Sequence, residues 1–246
     1  MQQAYRAIRV VAEAQMVRIS LAASPNVLML RELAAACAAF GAESSSDVKA
    51  VMLDIGALPG AETTPDEPVM PEAVSQAATA VQAVAPPVLA VARGALSAAA
   101  TALVQAADLA LMDSAATLSI PATSIGSGMS GYETIMSREA MQKGCVTWVV
   151  ESHAIGDELE RVLDRLREKS ALTLRLAKAS VNIAARVQQA VGAQHTVETP
   201  FIASTSHLAA LHEVNDLYLE HVMQTADAAE GLHAFLEKRQ PQWKNQ

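Results

Sequence analysis

The stretch "PPVLAVARGALSAAATALVQAADLALM", Pro86 to Met112, reads as a buried strand, a turn at Gly94, a short helix and a second buried strand. Val88 to Ala92 is continuously apolar, the pattern of a strand whose sheet is covered on both faces. Ala98, Ala99 and Ala100 stand where the chain leaves the turn. Such a small-faced helix start suits close packing, or the approach of a ligand oxygen to a backbone N–H.

The same alternation continues outward in both directions. On the N-terminal side, "VKAVMLDIG" is another apolar strand, and a loop rich in Pro, Thr and acid leads from it to a helix near Glu72 to Val84. Before it, "VLMLRELAAACAAFGA" has helical period and ends at Gly41, where a glycine cap belongs. Val17, Ile19 and Leu21 alternate with Arg18 and Ser20, which predicts a half-buried strand. On the C-terminal side, "SREAMQKG" predicts a short helix, "CVTWVV" a strand, and the chain from about Asp157 is helix-forming. A Gly, Thr and Pro-rich break from Gly192 to Ser206 precedes two last helices, the second stopped by Pro241. Repeated strand and helix alternation is the signature of an α/β fold.

Composition narrows the function classes. The 246 residues are 51% hydrophobic but only 3% aromatic, so the core is built from Ala, Val, Leu, Ile and Met. A net charge of −8 leaves no basic stripe to displace phosphate counterions, which argues against a nucleic-acid partner. Arg93, Gln105 and Asp108 interrupt the most apolar region short of the roughly 20 residues that span a bilayer. Two cysteines, Cys37 and Cys145, form no disulfide framework, and the first twenty residues show no secretory pattern. A soluble, cytoplasmic protein is expected. His153, His195, His207, His212, His221 and His233 include no pair at i, i+4, so solvated histidines are expected rather than a metal site.

Four ordered blocks then carry a resemblance. "LRELAAACAAFGAESSSDVKAVMLDIG", "PPVLAVARGALSAAATALVQAADLALMDSAATLSIPATSIG", "SGYETIMSREAMQKGCVTWVV" and "NDLYLEHVMQTADAAEGLHAFLEKRQPQWKNQ" resemble, in order, the matching blocks of the crotonase, or enoyl-CoA hydratase/isomerase, superfamily. The closing block and "VMLD" are most similar to the dienoyl-CoA hydratases that hydrate a cyclohexadiene-carbonyl-CoA. The resemblance implies an α/β spiral of ββα units, here residues 1–190, and a C-terminal helical oligomerisation region, residues 191–246. It implies homotrimers or hexamers, or assembly with an active homologous subunit. It also implies no cofactor beyond a CoA thioester as ligand, whose carbonyl oxygen is held by two backbone N–H groups.

Carried over position by position, the family's three glycines fall on Ala98, Ala99 and Ala100, with Ala99 at one oxyanion donor. Alanine keeps the N–H but gives up glycine's positive φ range and its space. The other donor falls on Pro59, which has no N–H; a register one residue on would make Gly60 the donor. The two carboxylates a hydratase needs fall on Ala102 and on Ala122, after Pro121, and neither side chain binds a proton. Between Ile125 and Gly131 the chain is shorter than the family's, and an insertion lies around His195 to His207.

Ser97, Thr101, Ser119, Thr123, Ser124 and Ser127 surround this site and can orient a water or a carbonyl; with no base beside them, none reads as a nucleophile. Glu62, Asp66, Glu67 and Glu133 flank it, as solvated acids or as a relocated acid. Phe235 and Lys238 match the family's tail position beside the CoA nucleotide, and a surface lysine at a helix C-terminus accounts for Lys238 equally well. Two readings follow: an acyl-CoA-related protein without hydratase activity, or an enzyme running hydratase, isomerase, decarboxylase or hydrolase chemistry from an oxyanion hole with relocated side chains.

Overall fold

The computed structural model describes residues 5–13, 15–41, 47–58, 70–122, 131–193 and 211–245. The chain forms two compact units, Met1–Arg167 and Glu168–Gln246.

In the first unit the strands β1 (Arg9–Glu13), β2 (Met16–Ala22), β3 (Ala50–Leu58), β4 (Val88–Ala92), β6 (Leu109–Asp113) and β9 (Trp148–Val150) make one sheet in the order β1-β2-β3-β4-β6-β9. β1 is an antiparallel edge strand; every later pairing in this sheet is parallel. The short β5 (Ala95–Leu96) pairs in parallel with β7 (Thr117–Pro121), and β7 pairs antiparallel with β8 (Tyr132–Met136) in a second sheet. Between them run α1 (Val27–Gly41), α2 (Pro71–Ala83), α3 (Ala98–Ala106), α4 (Ser137–Gln142) and α5 (Ile155–Arg167). The chain thus advances by repeated strand, strand, helix turns, each laying one further parallel strand beside the last.

Both faces of the large sheet are covered, which is why its strands read as apolar runs. Ile19, Leu21, Val51, Leu53, Val88, Ala90 and Ala92 face Leu30 and Leu33 of α1, Val81 of α2 and Leu103 of α3. Met16, Ala50, Met52, Leu89, Val91 and Leu111 face Ile155, Leu159, Val162 and Leu163 of α5. The expectation of a half-buried β2 is corrected here. Ser20 is only 7% exposed, because β2 lies inside the sheet between β1 and β3.

The second unit holds α6 (Ala171–Ala193), a π-helical turn at Leu217–Val222 and α7 (Ala226–Glu237). The long helical run expected after Asp157 breaks at Glu168–Ser170. Ser170 Oγ accepts from the amide of Thr173 at 3.3 Å, a side-chain cap that opens α6. α7 ends at Glu237, ahead of Pro241, because Lys238 takes a left-handed conformation at φ 53° and its amide closes the last turn. The buried carboxylate of Asp227 accepts from the amides of Lys244 at 2.6 Å and Asn245 at 2.9 Å and from the Ser170 hydroxyl. Trp243 Nε1 donates to Glu168 O at 2.6 Å, so the terminal residues are strapped along this unit.

Candidate functional site: the start of α3

β3 and β4 run side by side to Ile55 and Ala92, and two glycines with positive φ follow, Gly56 still within β3 and Gly94 beyond β4. At Gly56, φ 90°, a Cβ would stand 2.3 Å from Arg93 O, so backbone here packs directly on backbone. Gly94, φ 76°, faces open space. Arg93 donates its amide to Ile55 O at 3.0 Å, and its guanidinium pairs with Asp54, which is 6% exposed. A carboxylate buried that deeply needs such a partner. The ion pair therefore ties the ends of β3 and β4 together.

From Gly94 the chain makes β5 and enters α3. Ser97 is the N-cap: its Oγ accepts from the Ala100 amide at 3.3 Å, and its carbonyl takes the Thr101 amide at 2.9 Å. The Ser97 amide donates to Ala23 O at 3.0 Å. Ala98 and Ala99 are the first two helical residues, and among the described residues no oxygen accepts from their amides. Ala99 is 7% exposed. Its N–H stands at a helix N-terminus, where the aligned peptide dipoles favour a partial negative charge.

This geometry revises part of the sequence reading. The described residues with positive φ include Gln15, Lys238 and Asn245 besides glycines, and none of Ala98, Ala99 and Ala100. The helix starts in ordinary helical conformation, so alanine gives up no conformation that these positions use.

Ala102 lies one residue beyond Thr101 on α3, and Ala122 directly follows β7; both are half-buried. Their elements are joined where Thr101 Oγ1 accepts from the Ser119 amide at 3.1 Å. Ser97 and Thr101 were expected to orient a water or carbonyl; their oxygens each accept a backbone amide. The Ser97 cap is legible in the sequence as a serine before a run of helix formers. The Thr101 contact is not, because it spans two elements. Glu133 on β8 faces Lys143 at 3.6 Å across a half-exposed ion pair and stands opposite Ile120 in the hairpin. Pro59, Gly60, Glu62, Asp66, Glu67, Thr123, Ser124, Ser127, His195 and His207 lie outside the described residues.

Elsewhere, His153, His212, His221 and His233 are exposed, and among the described residues no three His, Cys, Asp or Glu side chains form a metal-binding group. No described helix is long and apolar enough to cross a membrane. In the second unit, Phe235 is 79% exposed on α7, and Lys238 caps the same helix. A pocket of about 470 Å³ lies at the other end of α3, lined by Gln105, Asp108, Lys143 and Cys145 among others. It is separated from Ala99 by most of the helix.

Taken together, the spiral of parallel strands and the small second sheet define the crotonase fold. No protein-family model and no curated protein matches the sequence, but solved structures do. An enoyl-CoA hydratase from Geobacillus kaustophilus superposes with a TM-score of 0.76 at 19% identity, over 99% of this chain and 98% of its own. An enoyl-CoA hydratase from Bacillus anthracis gives 0.73 at 23% identity, over 98% and 100%. An enoyl-CoA hydratase/carnitine racemase from Magnetospirillum magneticum gives 0.71 at 22%, over 99% and 97%.

Proposed function

We propose that the protein is a crotonase-fold acyl-CoA-binding protein that has lost enoyl-CoA hydratase activity. The observation that supports this reading is the Ala99 amide at the start of α3, which no oxygen among the described residues accepts, together with methyl groups at Ala102 on the same helix and at Ala122 after β7. A thioester oxygen placed before the Ala99 amide gives that donor an acceptor and meets the positive end of α3.

Polarising the thioester is half of a hydration. The other half is proton transfer, in which one carboxylate takes a proton from water and another delivers one to the α-carbon. Each positioned group contributes about 10²–10⁴ in rate. With alanine at both positions the ligand is held and not hydrated. The second donor belongs to the loop after β3: Gly60 can supply an N–H, Pro59 cannot. Phe235 and Lys238 are assigned to the CoA nucleotide, and a homotrimer, a hexamer or an assembly with an active homologue is the proposed state.

Calorimetry with CoA and crotonyl-CoA, together with the absorbance of the conjugated thioester, tests the proposal. Crotonyl-CoA is expected to bind more tightly than CoA and to remain unconverted. Hydration at ordinary enzymatic rates refutes the proposal and establishes the second reading, an enzyme with relocated side chains. Restoring carboxylates with Ala102→Glu and Ala122→Glu is expected to leave the protein inactive if Pro59 stands at the first donor position. Recovered turnover would assign that donor to Gly60.

A further inference from the structure

β5 is only two residues long because the chain turns into α3 at Ser97. Its partner β7 runs three residues further, past the pair Leu96 and Leu118. Just past that pair, Thr101 Oγ1 accepts from the Ser119 N–H at 3.1 Å, and Thr101 is buried at 2% exposure. Thr101 also stands one helical turn from the Ser97 cap, whose carbonyl holds its amide at 2.9 Å. One buried hydroxyl thus fastens the first turn of α3 to β7.

The neighbouring side chains cannot do this. Ala98, Ala99, Ala100 and Ala102 offer methyl groups, whose contacts are non-directional. A hydrogen bond is directional and weakens steeply as it bends. We infer that Thr101 is a positioning residue, holding the Ala99 amide on the line to a ligand carbonyl. The inference rests on the proposed thioester site and adds to it the group that aims its donor.

The test uses para-dimethylaminocinnamoyl-CoA, a chromophoric thioester whose absorbance moves to longer wavelength when its carbonyl accepts strong hydrogen bonds. The full chain is compared with Thr101→Val, which keeps shape and removes the acceptor, and with Thr101→Ser, which restores it. Thr101→Val is expected to bind CoA as the parent does, to lose most of the wavelength shift, and to weaken thioester binding roughly tenfold, the worth of one hydrogen bond. Thr101→Ser is expected to regain both. A purely structural role would lower the melting temperature and leave the ratio of thioester to CoA affinity unchanged; that result, or an unchanged shift in Thr101→Val, overturns the inference. If Thr101→Val does not fold, Thr101→Ala, which cannot overpack, decides by the same two readouts. A parent chain that binds the chromophore with no shift refutes the thioester site itself, and the inference falls with it.

Discussion

Replacing Gly56 by alanine tests whether β3 packs backbone on backbone against the residue that follows β4. Two independent penalties act there. The residue holds φ 90°, a conformation that costs an L-residue about 1–3 kcal/mol. A Cβ would also stand 2.3 Å from Arg93 O, a main-chain atom that moves only if β4 moves. Overpacking of that kind costs a further ~1–3 kcal/mol. Gly56→Ala is therefore expected to destabilise the first unit by about 2–6 kcal/mol, a large part of the roughly 5–15 kcal/mol that holds a typical domain. Two other glycines separate the causes. Gly94 has positive φ and open space, so Gly94→Ala carries the conformational penalty alone; at Gly131 nothing lies within 4 Å and φ is not positive. Urea unfolding, read from Trp148 fluorescence in a common Trp243→Phe background, should rank the variants Gly131→Ala, Gly94→Ala, Gly56→Ala in order of falling midpoint. With a slope of about 2 kcal/mol per molar, Gly56→Ala should lose at least ~1 M. A Gly56→Ala midpoint equal to that of Gly94→Ala would refute the claim that β3 and β4 are in backbone contact there.

Two further outcomes follow from carboxylates that organise backbone. The Glu32 carboxylate takes the amides of Arg6, Ala7 and Ile8 at 2.8–3.2 Å. Burial alone would raise its pKa, but these bonds and the Arg6 charge lower it below the ordinary 4.5. The stabilisation is therefore complete above about pH 4.5 and lost as pH falls through the lowered value, so amide protection at residues 6–8 should drop in acid, and Glu32→Gln should remove that dependence. In the second unit, Asp227→Ala leaves the amides of Lys244 and Asn245 and the Ser170 hydroxyl without their shared acceptor. Unfolding should be easier by about 3 kcal/mol, with Trp243 fluorescence changing first; an effect below ~0.5 kcal/mol would show that the terminal residues are not held by this group.

What was legible in the sequence depended on whether one chain segment contained its own reason for folding. β3 and β4 were readable because a strand buried on both faces must be apolar throughout, and α1 because its stop at Gly41 is local. β5 and β8 were not: two residues carry no period, and "YETIM" is exposed at three of five positions. The break before α6 escaped the same reading, since helix propensity is continuous across it while the Asp227 carboxylate that holds Ser170 lies 57 residues away. The site divides along the same line. Alanine at 102 and 122 is visible in the sequence, and so is the serine that caps α3. The contact of the Thr101 hydroxyl is not visible, because only the fold shows that it accepts the amide of Ser119 from another element. The start of α3 also offers a ligand the backbone N–H groups of Ala98 and Ala99. Such donors recognise and polarise a carbonyl; they do not carry protons between water and carbon. On the proposed reading, the part of the site that comes from main-chain geometry follows wherever the helix starts, whereas the part that depends on two side chains is lost with two substitutions, and no strand or helix need move.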